Sequence, residues 1–520
     1  MGLTDNVIKV SASIINWMYL RAGVFSLGLL LLSRALGLLR ESVQAAAFGA
    51  TGLGDAVIVM FTLPDLLVGV LVSGALSYVL LPAWAQQSPS VQAAGQKKVA
   101  YALALLGLGL GLLAWLFKEL VVQALAPGLS ADMKTTSAQA LIWSALVLPL
   151  AMLAALWVTR LQHERDFVGM YAGNLIVNLV LIAGLWAAAM TAFNTSATHA
   201  LTLLGVCLVL AMLARLAWLA WRLPARPPRP FRGPDTASAN LPTASVWVWA
   251  ALSSGLLLVF PLAARSLASA TGEGALASFN YAWKLIELPL VLAVQLVASL
   301  AFPAITRTEA GTHERQQAIS VAFLVAWALA CAAAAVVASF SLPIASLLFG
   351  WGRMSTANLS IIADWSAVGI WSLLPQALMA VLLTVMATTG RMHTAVWVYA
   401  LGLALLLLGE RYGGFDPKNA GANVMWLLNA IYAGMTMLLF ALERHSVKAA
   451  IPYTACLAPL LTSAGLVALK PFFAGLNTPL TLVCCAVYGL LVTASAVAAS
   501  PVLRGWLHSK LSRQTAATST

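Results

Sequence analysis

Five ionisable side chains stand inside one otherwise apolar stretch, SRALGLLRESVQAAAFGATGLGDAVIVMFTLPDLLVGVLVSGALSYVLLP, residues 33–82: Arg34, Arg40, Glu41, Asp55 and Asp65. A charge at the centre of a bilayer costs roughly 2.5–3.5 kcal/mol on insertion scales, so such residues face a wet cavity or an opposite charge. Arg34 and Arg40 are separated by about 9 Å along a helix axis. A guanidinium grips phosphate bidentately and keeps its charge, so a pair of them lining a cavity suits a pyrophosphate. Glu41 follows Arg40 directly and Asp55 opens the next apolar run. The alternative is a set of intramembrane ion pairs that fixes helix packing.

A second group lies in FNYAWKLIELP, residues 279–289. Lys284 and Glu287 are three apart, share a helix face and can pair with each other. Tyr281 and Trp283 flank them. Lys284 is the cation that a second half of the chain could add to Arg34 and Arg40, closing around one anion. Arg265 falls at mid-span depth and is a further cavity residue. Arg215 lies near a span end, where a long side chain snorkels to the interface. Glu410, Arg411, Asp416 and Lys418 read as a solvated loop. The site residues expected from sequence are therefore Arg34, Arg40, Glu41, Asp55, Arg265, Lys284 and Glu287 as substrate contacts, with no catalytic residue and no metal ligand.

The elements that position them are membrane helices. The chain has 520 residues, 61% hydrophobic and 9% charged, with a mean hydropathy of +0.90, against about 25% charged in soluble domains. This is an all-α polytopic membrane protein. The net charge of +12 reflects loops biased to Lys and Arg, not nucleic acid. About fourteen spans are expected at 22–48, 55–86, 98–126, 136–162, 168–192, 199–222, 245–271, 276–306, 316–340, 357–388, 391–409, 421–443, 449–470 and 478–503. Residues 1–20 form an interfacial lead-in without a convincing cleavage site. Cations such as Lys97, Lys98, Arg160, Arg165, Arg222, Arg307, Arg391 and Arg444 fall on the side of the N-terminus. Fewer, among them Lys118, Lys134, Arg353 and Lys470, fall opposite, so both termini are cytoplasmic.

Residues 223–243, LPARPPRPFRGPDTASANLPT, form a proline-rich basic linker. It separates an N-terminal lobe, 1–222, from a C-terminal lobe, 244–445, with two further spans and a tail over 446–520. An internal repeat supports two pseudo-symmetric six-helix lobes. Leu63-Pro64 recurs at Leu288-Pro289, Leu148-Pro149 at Leu374-Pro375, and Arg165 at Arg391, all at nearly the same offset. The repeat is parallel, and its prolines let the helices bend. Two bendable lobes flanking a cleft suit alternating access. Spans thirteen and fourteen are either lipid-facing scaffold or a groove for a lipid tail.

Several chemistries have no motif here. There is no GxxxxGK[ST] phosphate loop, and the six histidines show no metal spacing. Cys207, Cys331, Cys456, Cys484 and Cys485 lie in apolar runs and read as small buried hydrophobes. The expectation is a transporter and not an enzyme, without a cofactor, driven by an ion gradient or the membrane potential.

On these residues the sequence resembles the MurJ (MviN) family of lipid II flippases, within the multidrug/oligosaccharidyl-lipid/polysaccharide exporter superfamily. The resemblance is carried by SRALGLLRE, FGATGLGDA, LPDLLVGVLVSGALS, APGLS at 126–130, RDFVGMYAGNLIVN at 165–178, NYAWKLIELP at 280–289 and LPIASLLFGWGRM at 342–354. It implies fourteen helices, a central cationic cavity and a groove reaching the last two spans. It also implies translocation of an undecaprenyl-pyrophosphate-linked disaccharide-pentapeptide, with phosphate contact at Arg34 and Arg40. Asp55 matches a family acid, and Lys284 falls where the family has arginine. The sequence departs from the pattern at Val68 and Gly69, where the family has Arg-Arg, and at Ser73 and Trp283, where it has acids.

The function this implies is a flippase for a lipid-linked glycan precursor of peptidoglycan, lipid II, in the bacterial inner membrane. The alternatives are a flippase for an exopolysaccharide or O-antigen unit and a drug antiporter of the same superfamily. Its partners would be the polyprenyl-pyrophosphate-linked glycan, membrane lipids and cell-wall synthesis proteins, with no nucleic acid.

Overall fold

A computed structural model describes residues 28–192, 196–223, 242–308, 312–412, 419–473 and 475–508. The lead-in at 1–20, almost all of the 223–243 linker, and Asp416 and Lys418 lie outside the described residues. Within them the chain is helical, with no strand. Among the described residues eleven helices are long and apolar enough to cross a membrane, and a bent pair, Arg444–Ala450 with Tyr453–Ala468, makes a twelfth if it is one span. A helix over 28–48 (α1) and the helix Ala275–Arg307 stand at the two remaining expected positions, spans one and eight.

In chain order α1 is followed by α2 (Gly52–Val70) and α3 (Leu76–Ala85), α4 (Pro89–Leu116), α5 (Lys118–Leu125), α6 (Ala131–His163), α7 (Phe167–Ala192) and α8 (Ala197–Arg222). Next come α9 (Ala244–Ser269), α10 (Ala275–Arg307), α11 (His313–Phe349), α12 (Thr356–Gly369), α13 (Leu373–Thr388), α14 (Met392–Tyr412) and α15 (Ala420–Leu442). The chain ends with α16 (Arg444–Val447), α17 (Tyr453–Ala468) and α18 (Thr478–Ala499). Span two is not one regular helix. A π turn at Leu71–Ala75 joins α2 to α3, and Ser254 Oγ donates to Val70 O at the head of that turn, at 3.2 Å. Span ten is likewise broken by a 3₁₀ turn, Ile370–Ser372, between α12 and α13.

The helices form two compact units. One takes the described residues up to Ala47 with Ala56–Val122 and Asp132–Ser254; the other takes Phe48–Asp55, Gln123–Ala131 and everything from Gly255. α9 is thus divided at Ser254. The core of the first unit gathers Leu76, Leu80 and Trp84 of α3, Leu103 of α4, and Met152 and Leu156 of α6. Lipid tails are as apolar as leucine, so membrane helices gain from close backbone approach, which small residues permit. Gly107 and Gly111 of α4 serve this purpose. A Cβ on Gly107 would sit 2.6 Å from Pro149 Cα, and one on Gly111 would sit 2.6 Å from the Ala145 carbonyl oxygen.

In the second unit α17 and α18 dock on α11. Ser463 Oγ donates to Cys331 O at 2.8 Å, and Trp327 Nε1 donates to Cys456 O at 2.8 Å. Phe340, where α11 kinks, meets Phe473 and Tyr488 edge-on. The other face of α18 leaves Leu480, Val483, Leu490 and Leu491 exposed. All five cysteines are free, and Cys331 alone of them is buried; the remaining four are half-buried, because they lie on helices that keep an outward face.

Each unit has the same turn between its fourth and fifth spans. After α6, Asp166 N donates to Leu161 O at 2.9 Å; after α13, Arg391 N donates to Met386 O at 3.0 Å. The residue before each donor is left-handed, Arg165 at φ 56° and Gly390 at φ 70°. This is the helix stop in which the amide just past a left-handed residue reaches back five positions. The two donors are 225 positions apart, so Asp166, not Arg165, is the counterpart of Arg391. Each donor side chain is then ion-paired to the end of the sixth span of its own unit. Arg222 Nε lies 2.6 Å from Asp166 Oδ2, and Arg391 Nη1 lies 2.9 Å from Glu443 Oε1. The polarity is reversed between the units.

Overpacking a tight helix contact costs typically 1–3 kcal/mol. Gly107→Leu is expected to lower stability by about that amount, read as a drop in thermal unfolding temperature in detergent, whereas Gly109→Leu, with open space around it, leaves the temperature unchanged.

Candidate functional site

Arg34, Arg40 and Glu41 all lie on α1, in the first unit. Arg34 is exposed on the helix. Arg40 is mostly buried: its Nη2 lies 2.9 Å from Glu41 Oε1 and 3.7 Å from Asp65 Oδ2. Its guanidinium carbon stands 5.9 Å from the centre of the Phe61 ring, within reach of the attraction between a cation and an aromatic face. One wall of this arrangement is therefore built by α2. Pro64 interrupts the backbone ladder of α2, and Asp65 follows it directly.

Sequence reading missed two members of this group. Asp65 was noticed as a charge but not as the partner of Arg40. Arg215 was expected to snorkel to the interface. Instead it is buried, with 5% exposure, and the charge of Asp65 acts on it. A buried cation is stabilised by opposite charge, and the field of Asp65, from a distant part of the sequence, favours it. No periodicity connects Arg40, Asp65 and Arg215, so pattern reading had no signal for their neighbourhood.

Asp55, Arg265, Lys284 and Glu287 belong to the second unit. Lys284 Nζ and Glu287 Oε2 are 2.8 Å apart, with both side chains partly exposed, as their spacing predicts. Trp283 and Tyr281 do not line a polar surface beside them. Trp283 stacks on Phe279, and Tyr281 packs against Phe349, both within the core. Arg265 Nη1 donates to Asn280 Oδ1 at 2.8 Å.

Asp55 uses its carboxylate on backbone. Oδ2 accepts from Gly274 N and Oδ1 from Ala277 N, both at 2.7 Å, at the start of α10. The first amides of a helix have no partner within it, and the helix dipole favours an anion there. Gly274 is left-handed, at φ 85°, which aims these amides at Asp55, itself 1% exposed. The connection around Asp55 is held elsewhere too. Asn358 Nδ2 donates to Ala50 O at 3.1 Å, Ser130 N donates to Glu273 Oε1 at 3.1 Å, and Ser266 Oγ bonds Ala124 O.

Arg40 and Arg265 are 225 positions apart, as are Asp55 and Asn280, the same interval as the Leu-Pro pairs at 63 and 288. The arginine is kept in both halves and the acid becomes an amide in the second. Among the described residues no cluster of His, Cys, Asp and Glu could hold a metal ion.

A bundle of this kind, with ionised side chains inside apolar helices, has the fold of the multi-span transporters. A solved structure of a multidrug resistance MATE family transporter of the MOP superfamily, inward-facing, superposes with a TM-score of 0.59 at 13% identity, covering 80% of this chain and 94% of that one. A lipid II flippase MurJ in an inward closed conformation superposes with a TM-score of 0.73 at 15% identity, covering 91% and 98%. In sequence, the lipid II flippase MurJ of Burkholderia cenocepacia is 25% identical over 351 residues, 65% of this chain and 67% of that protein. The family described as lipid II flippase MurJ matches residues 44–500. The chain belongs to that family. The match begins after Arg34 and Arg40, so the α1 arginines rest on their own geometry.

A hydrogen bond to a charged group is worth about 1.5–3 kcal/mol. Asp55→Ala, which removes two, is expected to lower stability by roughly 2–4 kcal/mol. Asp55→Asn keeps one acceptor and is expected to lose about half as much, both read by thermal unfolding of the purified protein.

Proposed function

We propose that this chain is a flippase that carries an undecaprenyl-pyrophosphate-linked glycan precursor, lipid II, across the bacterial inner membrane for peptidoglycan synthesis. The observation that carries the reading is the family match over residues 44–500. The chemistry agrees with it. Arg40 is an obligate cation held among apolar helices, and a guanidinium binds a diphosphate through paired hydrogen bonds. Arg34, exposed one and a half turns earlier on α1, is the second cation. Lys284 and Arg265 are cations on the second unit, where the diphosphate engages them in another step of the cycle. Lys284 is a point charge held loosely by Glu287, and so is easily exchanged for a phosphate.

Transport proceeds by alternating access, with the lipid tail left in the bilayer. The chain acts as a transporter and carries out no bond chemistry. An ion gradient or the membrane potential drives the cycle; one elementary charge moved through 100 mV is worth about 2.3 kcal/mol. Both termini are cytoplasmic, and cell-wall synthesis proteins supply and consume the substrate. A lipid-linked exopolysaccharide unit is the second reading. It is favoured by Val68, Gly69 and Ser73, where the family resemblance implies charged residues.

The test is rescue of a strain depleted of its own lipid II flippase. The wild-type chain is expected to restore wall synthesis, and the double variant Arg34→Ala, Arg40→Ala to fail at equal membrane abundance. Full rescue by the double variant rejects the phosphate contacts. Failure of the well-expressed wild type moves the substrate to the exopolysaccharide unit.

A further inference from the structure

We propose that the break in span ten is a two-position switch. Two backbone carbonyls at the break are served by side chains while the turn is 3₁₀, and by backbone amides when α12 and α13 join into one helix. α13 turns and slides between the two states. Its role in transport rests on the reading of this chain as a flippase; the switch itself does not.

In a continuous α-helix Val368 O accepts from Ser372 N, and Gly369 O accepts from Leu373 N. Here Leu373 N donates to Ile370 O instead, and side chains reach both carbonyls. Asn429 Nδ2 of α15 donates to Val368 O at 2.9 Å. Ser372 Oγ donates to Gly369 O at 2.8 Å and accepts from Gln376 Nε2 at 3.0 Å. On the other side of the turn, Thr436 Oγ1 of α15 donates to Pro375 O at 2.9 Å. Asn429 and Thr436 thus grip span ten on both sides of the break. Proline alone does not make it, since α6 carries Pro149 at the equivalent place and is one unbroken helix. Val368 O and Gly369 O each have a donor in either helix type, so neither state leaves them as costly empty acceptors. An element with two such arrangements is bistable.

Helix geometry sets the size of the step. A 3₁₀ residue rises about 2.0 Å and turns about 120°, an α residue about 1.5 Å and about 100°. Over Ile370–Ser372 the change of helix type moves α13 by about 1.5 Å along its axis and turns it by about 60° relative to α12. The surroundings allow this. The side-chain ends of Met425 and Ile286 close on Gly369, where a Cβ would lie 2.5 and 2.6 Å from them, and methionine repacks readily. The far end of α13 is tied through long side chains. Arg315 Nη2 donates to Thr388 Oγ1 at 2.6 Å and its Nη1 to Thr308 O at 3.3 Å, and Arg391, just past α13, pairs with Glu443. A step of α13 is therefore passed to the ends of α10, α11 and α15.

The experiment measures the distance between spin labels on Ile361→Cys of α12 and Ala387→Cys of α13, both exposed positions, in the full-length protein in nanodiscs. The five native cysteines are replaced by alanine, and thermal unfolding checks that each variant folds. Asn429→Leu combined with Thr436→Val keeps the side-chain volumes and removes both grips of α15. This double variant is expected to shorten the label separation by roughly 3–4 Å, toward the continuous helix. Thr384→Val, which removes a hydroxyl bonded to Ala380 O within α13, is expected to leave it unchanged. An unchanged separation in the double variant, or the same shift in Thr384→Val, overturns the proposal. In a strain depleted of its lipid II flippase, the double variant is expected to fail where the wild type rescues, at equal membrane abundance. Full rescue by a double variant whose separation has shifted overturns the role in transport. Failure of the wild type to rescue rejects the flippase reading, and the label separation still decides the switch.

Discussion

A charge placed among apolar helices must be matched nearby, and this structure meets that requirement inside each of its two units. Arg40 is matched by Glu41 and Asp65, Arg222 by Asp166, Lys284 by Glu287 and Arg391 by Glu443. Asp55 is matched chiefly by the amides at the start of α10. The matches differ in firmness, and firmness separates structural from responsive charges. Asp166 is wholly buried, bonded to Arg222 and to Gly169 N, and its removal would leave an uncompensated buried cation. Lys284 with Glu287, and Arg40 with Asp65, are partly wet. Such pairs are worth little in themselves and can open without unfolding anything.

The helices were legible because a span of about 20 apolar residues leaves few alternatives, and each expected span has its helix. The breaks inside them were not legible. Gly74 does not announce a π turn; the glycine sits where a Cβ would lie 2.2 Å from Ser254 Cβ, a close approach between distant parts of the chain. The proline at 375 lies just past the 3₁₀ break in span ten, so it marked the right region without giving the geometry.

The site was legible in parts, for a similar reason. Lys284 with Glu287 and Arg40 with Glu41 are neighbours in sequence or one helical turn apart, and local spacing gives such pairs away. Asp65 with Arg40, and Asp55 with the start of α10, join positions that no period relates. The destination of Asp55 depends on a left-handed Gly274, which directs amides at a carboxylate more than two hundred residues earlier. An acid at the opening of a span carries the same sequence signature whether it binds substrate or caps a helix.

The internal repeat explains which features are shared and which are free to differ. The turn after the fourth span of each unit keeps its backbone hydrogen bond and left-handed residue, while the ion pair built on it reverses sign. Backbone geometry is held because the chain must stop one helix and start the next in the same way twice. The sign is free because a salt bridge closes equally well with either polarity. At another pair of equivalent positions the sign is not free. Arg40 and Arg265 keep the arginine at equivalent positions, whereas Asp55 and Asn280 differ. An amide accepts from Arg265 without carrying a charge of its own, whereas Asp55, at the equivalent position of the first half, is committed to a helix terminus. A duplicated scaffold can in this way hold its arginines constant while it redistributes its acids from one unit to the other.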